Sequence, residues 1–233
     1  MNRALRRQMA RFGAPQQAEE LSPDAVLQGG LLDDTLLDDF GRLRVLPVTE
    51  IDRLDRQAVR AWCHLRGVYL LPTAELIAWL HERIGERSAI EIGSGNGALG
   101  RALGIPRTDS RVQEGAAKAF HEATRQPPVR YGDDVVRLEA AEAVRVHRPQ
   151  VVVAAWVTHK LPDDAPRRAV GCAFGVCEDQ IARRVEEYIM IGNLRVHAEK
   201  PLLRQPHEEF RLPFIRSRAR DPGADRAWSW TRG

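Results

Sequence analysis

The sequence predicts an α/β domain built on a mostly parallel sheet with helices on both faces. Three observations carry this. From residue 88 onward, short apolar runs alternate with helix-length segments, the pattern of parallel strands joined by crossover helices. One run, Val151 to Ala155, is apolar throughout and contains three consecutive valines, as a strand buried on both faces requires. Another, Ser88 to Ile92, runs directly into Gly93-Ser94-Gly95-Asn96-Gly97, a turn rich enough in glycine to let a ligand approach the backbone.

The bulk properties bound the reading. At 233 residues the chain is long for one small domain and short for two full ones, so it divides into an N-terminal extension, 1–46, and one domain, 47–233. Its hydrophobic fraction of 43% and mean hydropathy of −0.38 exclude wholesale disorder. No run approaches the ~20 apolar residues of a membrane helix, so no membrane partner is expected. The basic N-terminus lacks the apolar core of a secretory signal. Cys63, Cys172 and Cys177 are odd in number, and a reducing cytoplasm is the default location. Lys and Arg number 35 against 32 Asp and Glu, and the arginines are scattered among carboxylates; a nucleic-acid partner is therefore not indicated.

Each element follows in order. In the extension, Leu31, Leu32, Leu36 and Leu37 interleave with Asp33, Asp34, Asp38 and Asp39, which suits a short amphipathic helix and offers a surface for self-association. Ile51 to Leu65 reads as a helix with Leu54, Val59, Trp62 and Leu65 apolar. Thr73 caps a second helix, Glu75 lies in its first turn, Leu76, Ile77, Leu80 and Ile84 form one face, and Gly85 ends it. The strand ending at Ile92 and the glycine turn lead into a helix at Ala98 to Leu103. Gly104 to Thr108 reads as the second strand, Glu114 to Arg125 as a helix, Val129 to Tyr131 as the third strand and Leu138 to Val146 as a helix. After Val151 to Ala155 come a helix at Glu178 to Glu187 and a strand at Tyr188 to Ile191. Phe214 to Arg216 and Ala227 to Trp230 form a terminal antiparallel pair, with Asp221-Pro222-Gly223 turning between them.

Ligands in such sheets bind beyond the carboxyl ends of the strands, where strand order reverses. The loops after Ile92, Thr108, Tyr131 and Ala155 are therefore where chemistry is expected. Gly93-x-Gly95-x-x-Ala98 satisfies a dinucleotide fingerprint, yet Glu91 precedes it by two residues and would repel a pyrophosphate. A cationic ligand would meet Glu91 favourably. Asp109, eighteen residues further on, can accept both hydroxyls of a ribose.

Glu91-Ile92-Gly93-Ser94-Gly95-Asn96-Gly97 resembles the E-x-G-x-G-x-G motif of class I S-adenosylmethionine-dependent methyltransferases, and the resemblance extends from about Ser88 to the C-terminus. It implies a Rossmann-like, mostly parallel seven-stranded sheet with a C-terminal antiparallel hairpin, and S-adenosylmethionine as cofactor. On that resemblance, Gly93, Ser94, Gly95, Asn96 and Gly97 pass the amino-acid and ribose part of the cofactor, with Glu91 supporting that end. Asp109 holds the ribose. Asp133 or Asp134, in the segment after the third strand, reads the adenine. Trp156 and His159, after the fourth strand, face the acceptor, with His159 as candidate base and Thr158 as a group that could orient a polar acceptor.

The fourth-strand segment, Ala154-Ala155-Trp156-Val157-Thr158-His159, lacks the Asn/Asp-Pro-Pro-aromatic motif of base-amino methylation and the Pro-Cys of cytosine-C5 enzymes. The acceptor is thus unidentified. Methyl transfer from a sulfonium needs alignment more than covalent help, so no fixed triad is demanded of the sequence. Cys172 and Cys177 are spaced as zinc ligands can be, but no second pair follows, and no metal is assigned. Two alternatives remain: a nicotinamide-dinucleotide oxidoreductase using the same turn, and a non-catalytic binding protein that retains the fold.

Overall fold

A computed structural model describes residues 21–115, 118, 127–161 and 171–232. Near the N-terminus, α1 (Pro23–Gly30), α2 (Asp33–Leu36) and α3 (Val48–Ile51) precede α4 (Arg56–Arg66). Ser22 caps α1 and Asp55 caps α4, each side chain accepting from a first-turn N–H. The helix expected over 51–65 is therefore two helices, because Asp55 starts α4 afresh. Residues of this region share one core, with Leu36 and Ile51 packing on Trp62 and Val68. Trp62 also donates from Nε1 to Asp33 at 2.8 Å.

The strand β1 (Leu70–Leu71) and helix α5 (Ala74–Ile84) lead to the main sheet. As expected, Thr73 caps α5, with its hydroxyl accepting from Leu76, and Gly85 ends it in the left-handed region at φ 58°. The sheet comprises β2 (Ala89–Ile92), β3 (Arg107–Asp109), β4 (Val136–Arg137), β5 (Val151–Ala155), β6 (Glu187–Asn193), β7 (Glu208–Phe210) and β9 (Asp225–Thr231). They lie in the order β4-β3-β2-β5-β6-β9-β7. The pairs from β4 to β6 are parallel, and β9 runs antiparallel to both of its neighbours. The strand order thus reverses at β2, which pairs with β3 on one side and β5 on the other.

Alternation along the strands feeds two cores. Ile90, Ile92, Val152, Ala154, Tyr188 and Met190 face α7 (Ala140–His147) and α8 (Glu178–Ala182). Ala89, Val151, Val153, Ile189 and Ile191 face α5 and α6 (Ala98–Ala102). Glu91 shares that second face and is 2% exposed.

Three expected elements are corrected. Val129–Tyr131 is not a strand; the third parallel strand is β4, seven residues later, and Gly132-Asp133-Asp134 precedes it. The helix expected over 178–187 stops at Ala182, and Glu187 already belongs to β6. The C-terminal antiparallel pair is present, but β9 takes β7 as partner, while Arg216–Ser217 (β8) pairs with β1 in a separate two-stranded sheet. The helix expected over 114–125 falls largely outside the described residues.

Candidate cofactor cleft

The carboxyl ends of β3, β2 and β5 open into a cleft of about 290 Å³, at the point where strand order reverses. Its floor is the glycine turn. Gly93, Gly95 and Gly97 all have positive φ, at 57°, 52° and 72°. A Cβ on Gly93 would lie 2.5 Å from Val157 Cγ1, so glycine is needed there both for its conformation and for the close approach of the loop after β5. Ser94 ties the turn to β3, its N–H and hydroxyl both donating to the Thr108 carbonyl, at 3.1 and 3.0 Å. Asn96 Oδ1 accepts from Ala98 N–H at 3.0 Å and steers the chain into α6.

Asp109 ends β3 and joins the two halves of the floor. Its Oδ2 accepts from Gly95 N–H at 2.9 Å and its Oδ1 from Arg111 N–H at 2.7 Å. Each carboxylate oxygen keeps acceptor capacity beyond these bonds. Burial raises its pKa, against the two backbone bonds. Glu91 lies deeper. Its Oε2 accepts from Gly100 N–H at 2.8 Å, and Gly100 must be glycine because a Cβ would sit 2.7 Å from that oxygen. Burial, with the charge of Asp109 adding to it, pushes the Glu91 carboxyl up to about 8, so it is largely protonated at neutral pH.

The other end of the cleft lies past β5. Trp156 has φ 58°, unusual for a bulky residue and costing about 1–3 kcal/mol. Its N–H donates to the Ile191 carbonyl at 2.9 Å, which holds the conformation. The Trp156 ring tilts against Tyr69 at 6.0 Å and meets His197 edge-on at 5.2 Å. Its Nε1 is buried without a hydrogen-bond partner, a deficit of about 1–3 kcal/mol. His197 is kept neutral: burial, with Lys200 nearby, lowers its pKa to about 3.

The cleft gathers Glu91, Gly93, Ser94, Gly95, Asn96, Asp109, Trp156 and Thr158. It does not gather the remaining candidates. Gly97 serves as the N-cap of α6. Asp134 is held by Arg101 and Arg107, whose bonds keep its carboxyl well below the usual range. Asp133 pairs with Arg42 at 3.3 Å on the outer surface. His159 is buried, and its Nε2 faces Gly171 rather than the cleft. Sequence reasoning missed Tyr69, Tyr131, Cys172 and Phe174, which also line the cleft. Tyr69 arrives through the pairing of Leu70 with Ser217, and Cys172 through a bridge to Lys160. Neither pairing leaves a local signal.

Among the described residues, no lysine or arginine lines this cleft, whereas Glu91 and Asp109 do. A pyrophosphate would meet the Asp109 carboxylate at the end of β3; a cationic ligand carrying a ribose would meet complementary groups.

No family model and no curated protein sequence matches the chain. Solved structures similar to it include a proposed SAM-dependent methyltransferase from Streptococcus mutans, at 14% identity over 76% of this chain and a TM-score of 0.33. The chain spans about half of that structure, 48% of its length. The hMettl16 catalytic domain in complex with MAT2A 3′UTR hairpin 6 is similar at 15% identity over 92% of this chain and 93% of that one, TM-score 0.33. The 16S rRNA methylase ArmA is similar at 9% identity over 80% and 96%, TM-score 0.35. Among the described residues, no helix is long and apolar enough to cross a membrane. The strand directions and order and the glycine turn after β2 together give this chain a Rossmann-like fold, a mostly parallel seven-stranded sheet with antiparallel pairing of its C-terminal strand.

Proposed function

We propose that the cleft binds S-adenosylmethionine and directs its methyl group to an acceptor entering beside Trp156. The observation that carries this reading is the bond from Gly95 N–H to the Asp109 carboxylate, in a cleft lined, among the described residues, by two acidic side chains and no lysine or arginine. A ribose is met by Asp109, whose oxygens retain lone pairs. The backbone of Gly93 and Gly95 leaves room beside it. Glu91 meets the cationic amino-acid end; an ammonium group nearby lowers its pKa, and the carboxyl proton is released to solvent. When bound, the sulfonium supplies an already activated methyl group. The protein's share is then to orient the acceptor in line with it and to exclude water.

The rival dinucleotide reading is disfavoured by the same charges. Calorimetric titration with S-adenosylhomocysteine and separately with NAD distinguishes the two. We expect the first to bind and the second not to; tight binding of NAD alone would overturn the proposal. Asp109→Ala is expected to weaken S-adenosylhomocysteine about 10- to 100-fold, the worth of charge-assisted bonds to the ribose. Unchanged affinity would remove that role from Asp109.

A further inference from the structure

A second cavity, of about 360 Å³, opens between the N-terminal region and the segment that leads into β4. Asn96 and Tyr131 line both this cavity and the cleft, and so form the partition between them. Arg42, Arg66, Arg101 and Arg130 line the second cavity. In the sequence these arginines stand far apart among carboxylates; folding brings them to one place.

The neighbouring acids do not use up their donors. A guanidinium carries more N–H groups than a single carboxylate takes. Arg66 gives Nε and Nη2 to Asp33, and Arg101 gives Nε and Nη2 to Asp134. Arg107 donates to that same Asp134 carboxylate at 2.9 Å, so one acid serves two cations. Asp38 also acts on Arg101, and its Oδ1 is engaged by the backbone N–H groups of Phe40 and Arg42. Arg42 meets Asp133 at 3.3 and 3.4 Å, and Asp133 is 79% exposed. A surface pair of that kind is weak and readily exchanged. Arg130, three residues before Asp133, is exposed and has no hydrogen-bond or ion-pair partner among the described residues.

One aromatic ring completes the arrangement. Phe40 lines the cavity yet is 83% exposed, and the Arg42 guanidinium lies 5.9 Å from the centre of its ring. An exposed ring beside guanidinium groups with donors to spare can stack a base and grip its phosphate.

We infer that the second cavity binds the phosphate of a nucleotide, free or within a strand, through Arg130 and Arg42, with the base over Phe40. Phosphate suits the site because its terminal oxygens can take forked bonds from two guanidinium groups at once, while Asp133 is released to solvent. A cationic ligand would be repelled by Arg130. This site stands apart from the methyl-transfer reading and holds whether or not the cleft takes S-adenosylmethionine.

The test follows the arginine Nε–H resonances of the full chain in ¹H–¹⁵N spectra, each assigned by the variant that removes it. Uridine 5′-monophosphate is expected to shift Arg42 and Arg130; uridine, which lacks the phosphate, is not. Arg130→Ala is expected to weaken the nucleotide about tenfold, the worth of a charged hydrogen-bond donor. Asp133→Asn releases Arg42 and is expected to strengthen binding about threefold. The same charge changes on α7, Arg145→Ala and Glu142→Gln, alter an exposed pair that lines neither cavity, and should leave the affinity unchanged. Phe40→Ala should weaken uridine 5′-monophosphate several-fold and leave inorganic phosphate unaffected. A uridylate decamer separates the two sources: binding tighter than the monophosphate assigns a strand, equal binding a free nucleotide, and either must weaken in Arg130→Ala. Resonances that ignore the nucleotide, or equal losses in Arg130→Ala and Arg145→Ala, would overturn the inference. Inorganic phosphate bound as tightly as the nucleotide would overturn the role of the base.

Discussion

Interior strands of the main sheet bury one glutamate at the end away from the cleft and another near the end that faces it, and the two are treated in opposite ways. Glu187 opens β6, at the end of the strand away from the cleft, and is 2% exposed. Arg83 Nε reaches it at 2.5 Å, Arg87 Nη2 at 2.6 Å and the Ser229 hydroxyl at 2.6 Å. Burial pushes its pKa up, and these three partners more than reverse the push. Glu91, equally buried near the cleft end of β2, accepts from Gly100 N–H, and its pKa rises to about 8. The difference separates a finished clamp from a group held in reserve. A carboxyl whose needs are met inside the fold has nothing left to offer a ligand; one left short of positive charge does.

The largest effect is expected at the clamp. Glu187→Ala leaves Arg83 and Arg87 partly buried without their shared carboxylate, at a cost of about 3 kcal/mol. For a chain of this length that corresponds to a melting temperature lowered by roughly 6–12 °C, measurable by thermal unfolding. Glu91→Gln should cost far less, because the carboxyl it replaces is already largely neutral. A comparable loss at both sites would abolish the distinction between the two strand ends.

The pH dependence sharpens it further. The folded-state pKa of Glu91, about 8, lies above its unfolded value near 4.5. Between these values the folded chain holds a proton that the unfolded chain does not. The stability due to this group is therefore complete below pH 4.5 and declines as pH rises through 8. His197 acts in the other direction: its folded pKa of about 3 lies below 6.5, so stability is lost as pH falls through that range. Comparing wild type with Glu91→Gln in urea unfolding at several pH values isolates the glutamate. The wild type should lose stability relative to the variant from pH 5 to 8. Parallel profiles would mean that Glu91 is ionised throughout and is no reserve.

How far the sequence announced this architecture depends on burial. β2, β5 and β6 are covered on both faces, and such strands must be apolar almost throughout, so Ala89–Ile92 and Val151–Ala155 were plain to read. Glu91 stood out because it interrupts such a run. β4 and β7 lie at the sheet edges. Val136–Arg137 is exposed, and Glu208–Phe210 carries two glutamates, as edge strands often do. With no apolar run to mark them, the neighbouring apolar stretches at 129–131 and 214–216 took their place. In the former, Val129 N–H instead donates to the Gln113 side chain at 2.8 Å. The cleft divides the same way. Its floor comes from one contiguous motif, whereas Tyr69 and Cys172 reach it through long-range pairing that local pattern cannot encode. Asp133 and Asp134 were misplaced with the third strand, and their arginine partners are visible only once the chain is folded.

The smallest effect tests whether backbone strain also divides between the two ends of β5. Arg148 and Trp156 both have positive φ, at 46° and 58°, one just before β5 and the other just after it. Arg148 is exposed and sits at the C-cap of α7, where its N–H donates to the Val144 carbonyl at 2.9 Å. Glycine adopts that conformation without the Cβ penalty. Arg148→Gly should therefore stabilise the chain by about 1 kcal/mol, less some unfolded-state entropy, and raise the melting temperature by roughly 2–4 °C. It should leave S-adenosylhomocysteine affinity unchanged. At Trp156 the same relief of strain would remove the ring that packs on Tyr69 and His197, so Trp156→Gly should lower stability despite its better backbone fit. A gain at both positions would mean that the strained residue beside the cleft is as dispensable as the one before the start of β5.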